Sequence, residues 1–334
     1  MALTFNIIYT AGTVQYLTFF VFSLLRCSDC SFRLVTNGCS LAEEQSLQQF
    51  CRKNDRLTFY RLPTEQLMPH GRALNHLQSL NHEDHFCFMD SDIYATGEFL
   101  APFLQLSSNY TGLFSCSPVW CKTTEQILSS RNPIMAGEFN RTETGLCLGG
   151  TYFSIYDNAV LTAFRQSTKI GFERCQWAEI ERPYQRRLCA LQLKKEIYDT
   201  GKLLNLFLQD QGHQLATLET DRLIHLGGAS DISRIREAAK VQNTRRERWQ
   251  QRYYRLQIRL RRLWQPEYFR FEFSERRGLY KLYWGEYLSA LVENRAPPIP
   301  PQISEAEIRD RIAAITPQIA TLYQQFVERP TSAQ

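Results

Sequence analysis

The chain reads as an α/β protein: a mostly parallel sheet with crossover helices through about residue 230, then a helical C-terminal extension. Three observations predict this. Short apolar runs alternate with stretches of helical period over residues 3–89, the pattern of strands joined by helices. Of the 334 residues, 43% are hydrophobic, 13% aromatic and 22% charged, enough to bury a core and too apolar for a disordered chain. After Ser230 the chain turns basic and helical, which marks a second region: residues 1–230 form the main domain and 231–334 the extension.

Residues 3–9 (Leu-Thr-Phe-Asn-Ile-Ile-Tyr) are the first strand, and Thr10, Ala11 and Gly12 a turn into a helix ending at Arg26. The apolar run 14–25 inside that helix is too short to span a bilayer, which takes about 20 residues, so it predicts a buried helix. Residues 32–36 are the second strand, closed by Asn37-Gly38. Residues 41–52 carry apolar side chains at 41, 47, 50 and 51 with Glu43 and Glu44 early, a helical pattern. Residues 57–62 form a third strand, 72–80 a helix and 85–89 a fourth strand.

The middle is less regular. Residues 113–119 and 151–156 read as strands, 129–145 as a loop, and 197–212 as a helix opening at Asp199-Thr200. Residues 231–264 predict a long basic helix stopped by Pro266. The run Ala-Pro-Pro-Ile-Pro-Pro over 296–301 is a stiff linker, and 304–327 a last amphipathic helix with Ser304 as N-cap and Glu305 and Glu307 in its first turn.

The net charge is +5, but residues 234–262 hold eleven Lys/Arg against two Glu, so the remainder of the chain is net acidic. In that segment Trp249, Tyr253, Tyr254, Leu256, Ile258, Leu260, Leu263 and Trp264 are interleaved with arginines. Two readings fit: an amphipathic element on an anionic membrane surface, or a helix packed on the main domain with its arginines in water. No nucleic-acid-binding module accompanies the charge. Of the ten cysteines, Cys27 and Cys30 form a Cys-x-x-Cys pair, but no second pair follows at zinc-module spacing. Reduced thiols and the lack of a signal-peptide pattern point to the cytoplasm, with peripheral contact at the inner face of the membrane as the further option.

The sharpest motif is Phe86-Cys-Phe-Met-Asp90-Ser91-Asp92, an apolar strand ending in two carboxylates at i and i+2. In a parallel sheet, ligands sit beyond the carboxyl ends of the strands. Two hard oxygen donors there suit Mg²⁺ or Mn²⁺ beside phosphate oxygens. The plain alternative is a self-capped Asx turn. Upstream, His70-Gly71-Arg72-Ala73-Leu74-Asn75 turns into a helix; downstream, His225-Leu-Gly227-Gly228 closes an apolar stretch where the backbone can approach a ligand. His82 and His85 flank Glu83-Asp84 in what reads as a solvated turn.

Taken in order, the strand–turn–helix start, Asn37-Gly38, Gly71-x-x-x-Asn75, Asp90-Ser91-Asp92, Asp199-Thr200-Gly201 and His225-Leu-Gly-Gly resemble the nucleotide-sugar glycosyltransferases of the GT-A fold, in particular bacterial family 2-like enzymes. The resemblance covers roughly residues 3–230. It implies a nucleoside-diphosphate sugar donor, a divalent metal and a glycan, lipid-linked or other hydroxyl acceptor. Tyr9, Thr10, Ala11 and Asn37 would hold the nucleoside, with Gly71, Asn75, Asp90 and Ser91 also on the donor side, and Asp90, Asp92 and His225 as metal ligands. Many relatives carry an acidic residue where this chain has Asn37. Inversion is implied by the resemblance alone, with Asp199 as first candidate for the base and Glu179 and Glu181 behind it. Gly149, Gly150, Tyr152 and Phe153 would shape the acceptor side. The alternatives are a sugar-phosphate nucleotidylyltransferase, against which no Gly-rich stretch with a following Arg and Lys lies near residue 10, and a non-catalytic partner- or membrane-docking protein on the same scaffold.

Overall fold

The computed structural model describes residues 3–115, 141–231 (except 143, 151, 194 and 196) and 275–328 (except 304 and 305), with 253, 256, 257, 260, 261, 263 and 264 between them. Its centre is a seven-stranded sheet. The strands are β1 (Thr4–Thr10), β2 (Ser31–Asn37), β3 (Leu57–Arg61), β4 (His85–Asp90), β6 (Gly112–Ser115), β7 (Phe153–Asp157) and β10 (Leu215–Thr217), in the order β10-β6-β7-β4-β1-β2-β3. All pairings are parallel except those of β7, which runs antiparallel to β4 and β6. This is the mostly parallel sheet with crossover helices that the sequence predicts. In register, Ile8 faces Asp90 and Thr10 faces Asn37, so the ends of β1, β2 and β4 share one edge.

Helices α1 (Val14–Arg26), α2 (Leu41–Cys51) and α3 (His70–Ser79) are the crossovers. Both flanks of α1 are buried because its aromatic and aliphatic residues leave no polar face, consistent with a core helix. A capping box starts α2: Ser40 Oγ accepts from the Glu43 N–H, and the Ser40 N–H donates to Glu43 Oε2 at 3.0 Å. The other oxygen of Glu43 accepts from the Gly12 N–H at 2.7 Å, tying this cap to the loop after β1.

Beyond β4 lie β5 (Ile93–Ala95), α4 (Ala101–Leu106), α5 (Asn158–Thr168), β8 (Cys175–Gln176), α6 (Arg182–Ala190), β9 (Ile197–Tyr198), α7 (Lys202–Asp210) and β11 (Leu223–His225). Two expectations change here. The helix expected over 197–212 begins only at Lys202, because Ile197 and Tyr198 pair with β8 and Gly201, at φ +75°, breaks the chain direction. The strand expected over 151–156 starts at Phe153. Most of the 129–145 loop, residues 116–119, and residues 232–252 of the basic helix lie outside the described residues, as do Ser304 and Glu305.

The extension contains α8 (Glu275–Val292), which the sequence reading did not anticipate, and α9 (Ala306–Val327). The linker 296–301 is non-helical as expected. Tyr280, Trp284, Tyr287 and Leu288 of α8, with Ile308, Ile312, Ile315 and Ile319 of α9, share one buried cluster with α1 and β1. Phe19 of α1 meets Tyr323 of α9 edge-on at 5.3 Å. The extension therefore adds to the main core rather than hanging from it.

Candidate active site

The end of β4 positions the site. Asp90 is the last residue of β4, and its N–H donates to Tyr152 O at 2.7 Å. Asp92 follows one residue before β5, which pairs antiparallel with β11 and sets His225 opposite Ile93. The Leu226 N–H then donates to Asp92 O at 3.1 Å. These bonds draw three residues, far apart in the chain, into one cluster: Asp90, Asp92 and His225 each offer a ligand atom within 4.8 Å of the others.

Their electrostatics are those of a buried, partly unsatisfied site. Asp92 is fully buried, and its Oδ2 accepts from the Gly228 N–H at 2.9 Å and the Ala229 N–H at 2.8 Å. Burial alone would raise its pKa, but the His225 charge and these backbone donors outweigh it and hold the carboxyl below its ordinary range. His225 Nε2 sits 3.2 Å from Asp92 Oδ1 and 3.4 Å from Asp90 Oδ2, between the two carboxylates and in hydrogen-bond geometry with neither. Burial opposes its charge, yet Asp92 and then Asp90 push its pKa up to about 9. Asp92 Oδ1, both ring nitrogens of His225 and Ser91 Oγ are buried without a hydrogen-bond partner. Buried polar atoms are rarely left so. A divalent cation fits this observation: two carboxylates and one imidazole converge with unused lone pairs on a common point.

The surroundings brace the cluster. The Tyr152 ring lies against the His225 ring with centroids 4.3 Å apart. Thr10 Oγ1 donates to Ser230 O at 2.9 Å, joining the end of β1 to the turn after Gly228. Gly228 has φ +106°, and a Cβ there would lie 2.3 Å from Lys281 Cε, so the lysine stem of α8 crosses directly over it. No local pattern in the sequence flags Lys281 as a neighbour of this loop.

The remaining expected site residues lie in other settings. The Tyr9 side chain is buried in the core, which leaves Thr10 and Ala11 as the loop's outward part. Asn37 is engaged with the loop before α3: its Nδ2 donates to Met68 O and its Oδ1 accepts from the Met68 N–H, both at 2.8 Å. Gly71 and Asn75 clasp Phe172. A Cβ at Gly71 would lie 2.4 Å from Phe172 O, and Asn75 Oδ1 accepts from the Phe172 N–H at 2.9 Å. Phe172 O also accepts from the Gly201 N–H at 3.0 Å, so Gly71, Asn75 and the Asp199 turn form a second corner.

In that corner the Asp199 carboxylate accepts from the Thr200 N–H at 2.9 Å and does not cap α7. Lys202, buried at the start of α7, donates to Gly149 O; Asn205 Nδ2 donates to Leu148 O at 2.7 Å, and Gln209 Nε2 to Cys147 O at 2.6 Å. Helix α7 thus holds the 147–149 strip whose continuation, Tyr152, touches Asp90 and His225. Sequence reading missed Lys202, which lies inside the stretch it took as plain helix. Glu179 closes a capping box by accepting from the Gln176 N–H at 2.7 Å, and Glu181 is the N-cap residue of α6.

Cys27 and Cys30 are free thiols whose burial raises their pKa, to about 11 for Cys30, which disfavours the reactive thiolate. Among the described residues no helix is long and apolar enough to cross a membrane.

No family model and no curated protein matches this chain. Solved structures do. GlyE, a glycosyltransferase of Streptococcus pneumoniae, is 13% identical over 65% of this chain and 45% of its own, with a TM-score of 0.39. The mannosyltransferase PcManGT of Pyrobaculum calidifontis, solved with GDP-Man and Mn²⁺, is 9% identical over 97% of this chain and 84% of its own, at 0.45. TarS of S. aureus is 15% identical over 73% of this chain and 40% of its own, at 0.42. This chain spans less than half the length of GlyE and TarS. These likenesses are distant, and functional meaning rests with the residues above.

Proposed function

We propose that this chain is a glycosyltransferase that moves a sugar from a nucleoside-diphosphate sugar to a hydroxyl acceptor, with Mn²⁺ or Mg²⁺ and with inversion at the anomeric carbon. The observation that carries the reading is the convergence of Asp90, Asp92 and His225, with buried unpartnered atoms, at the ligand-bearing edge of a parallel sheet. Asp90, Asp92 and His225 hold the cation. Bound there, a divalent metal supplies electrostatic stabilisation to the diphosphate leaving group.

The rest is work for the chain itself. Thr10, Ala11 and Asn37 border the nucleoside, and Asn37 does so by fixing the Met68 loop. Tyr152 keeps the His225 ring in place. On the acceptor side, the Asp199 carboxylate accepts the hydroxyl proton as the new C–O bond forms and the bond from the anomeric carbon to the diphosphate breaks. The fixed dipoles around Asp92 are in place before the donor arrives, so little reorganisation is needed at the reacting step.

Melting temperature measured with UDP, GDP, ADP and CDP, each with and without Mn²⁺, tests the donor site. A metal-dependent rise for one nucleotide, absent in Asp92→Asn, is expected. No shift for any nucleotide sinks the reading. Binding without hydrolysis or transfer of the matching nucleotide-sugar sinks its catalytic half and leaves a docking protein on this scaffold.

A further inference from the structure

The basic segment places an apolar stripe in water. Tyr253, Leu256, Leu260, Leu263 and Trp264 are helical and exposed, with 59, 52, 48, 76 and 87% of their surfaces accessible. At the α-helical repeat these five side chains fall within about 100° of arc, one continuous face. Of the two readings open at the sequence level, a helix packed on the main domain by its apolar face is the one this exposure opposes. Exposed Trp and Leu side by side are uncommon on a protein that keeps them in water.

We infer that the stripe of Tyr253, Leu256, Leu260, Leu263 and Trp264 is a docking face for an anionic membrane surface, entering the headgroup region, with the positive charge of the surrounding sequence attracted to lipid phosphates. Charge complementarity identifies the partner. Eleven Lys/Arg against two Glu are gathered in this one segment of a chain that is net acidic elsewhere. Each cationic residue near an anionic leaflet adds attraction to it, and Trp and Tyr prefer the boundary between headgroup and hydrocarbon. A second copy of the chain fits less well: the described stripe is about 18 Å long and one helix wide, well short of the roughly 800 Å² per partner that a stable dimer buries. A nucleic acid would engage the arginines but has no use for Leu256, Leu260 and Leu263. This inference does not rest on the sugar-transfer reading.

Flotation of the full chain with liposomes tests it. Binding is expected to vesicles of three parts phosphatidylcholine to one part phosphatidylglycerol, and not to phosphatidylcholine alone. The triple variant Leu260→Ser, Leu263→Ser, Trp264→Ser should lose about tenfold or more of that binding with its melting temperature unchanged, since the side chains are exposed. If that variant fails to fold, the charge reversal Arg255→Glu, Arg259→Glu, Arg262→Glu decides, with the same loss expected. Absence of binding to the anionic vesicles overturns the proposal, as does binding that survives both variants. So does a dimer, seen by sedimentation, that the triple variant dissolves while vesicle binding is lacking.

Discussion

Two corners of the molecule are built from similar materials and finished differently. At the Asp90–Asp92–His225 corner, Asp92 Oδ1 and both His225 nitrogens are buried with no hydrogen-bond partner. At the Phe172 corner, Asn75 and Lys202 are matched to backbone groups of the chain, and the Asp199 carboxylate accepts from its neighbour. Both corners descend from short polar motifs placed after strands. Burial without a hydrogen-bond partner makes the first the corner whose donor set suits a divalent cation. The second is a scaffold whose described polar groups are largely matched to backbone, with the Asp199 carboxylate held by the Thr200 N–H.

The strongest way to break this contrast is Asp92→Ala. It should abolish metal-dependent nucleotide binding, read by calorimetry, and lower stability by about 3–5 kcal/mol because His225 loses its buried counter-charge and two N–H groups lose their acceptor. Retained Mn²⁺ affinity would erase the distinction between the corners. Next comes Asp199→Asn. As a base, its loss should cut turnover by about 10²–10⁴ with the melting temperature nearly unchanged. Unaltered turnover would make Asp199 a turn residue and return the search to Glu179 and Glu181.

A third measurement sharpens the first corner alone. In the metal-free protein His225 has its pKa raised from 6.5 to about 9, so its stabilising charge is fully present below about 6.5 and is lost as pH rises through about 9. Metal-free stability should therefore decline across that window. Because the ion displaces this proton, Mn²⁺ affinity should climb over the same range, by up to about tenfold per pH unit. His225→Asn should flatten both slopes. The smallest effect belongs to the second corner: Lys202→Met leaves Gly149 O without its buried donor and should cost about 1–3 kcal/mol in denaturant titration while sparing metal binding.

How much of this was legible beforehand follows from the range of the forces involved. The first four strands and three helices could be read from residues 3–89 because each is long enough to carry its own apolar period, whatever its partner in the sheet. The convergence of Asp90 and Asp92 could be anticipated because a carboxylate pair at a strand end lies where a parallel sheet holds its ligands. The Ile197–Tyr198 strand could not, since two residues carry no period and their pairing with Cys175–Gln176 is a tertiary choice. Nor could α8, whose buried Tyr280, Tyr283, Trp284 and Tyr287 sit among Lys281 and Glu286 without a clean one-sided stripe. Lys281 over Gly228 is a meeting of two distant segments that no local pattern announces. Asn37 shows the opposite limit: its position was marked, but its two bonds to Met68 give it a bracing task that residue type alone does not reveal.

The short ladder between Ile93–Ala95 and Leu223–His225 has a wider consequence. It fastens the histidine to the stretch directly after the carboxylates, so one short ladder sets His225 beside Asp92. Of the chain between those strands, Tyr152 and β7 hold the carboxylates and the histidine, while segments away from them can vary without moving the three. In such an arrangement the surface around a fixed cluster of side chains is free to diversify while the cluster itself keeps its shape.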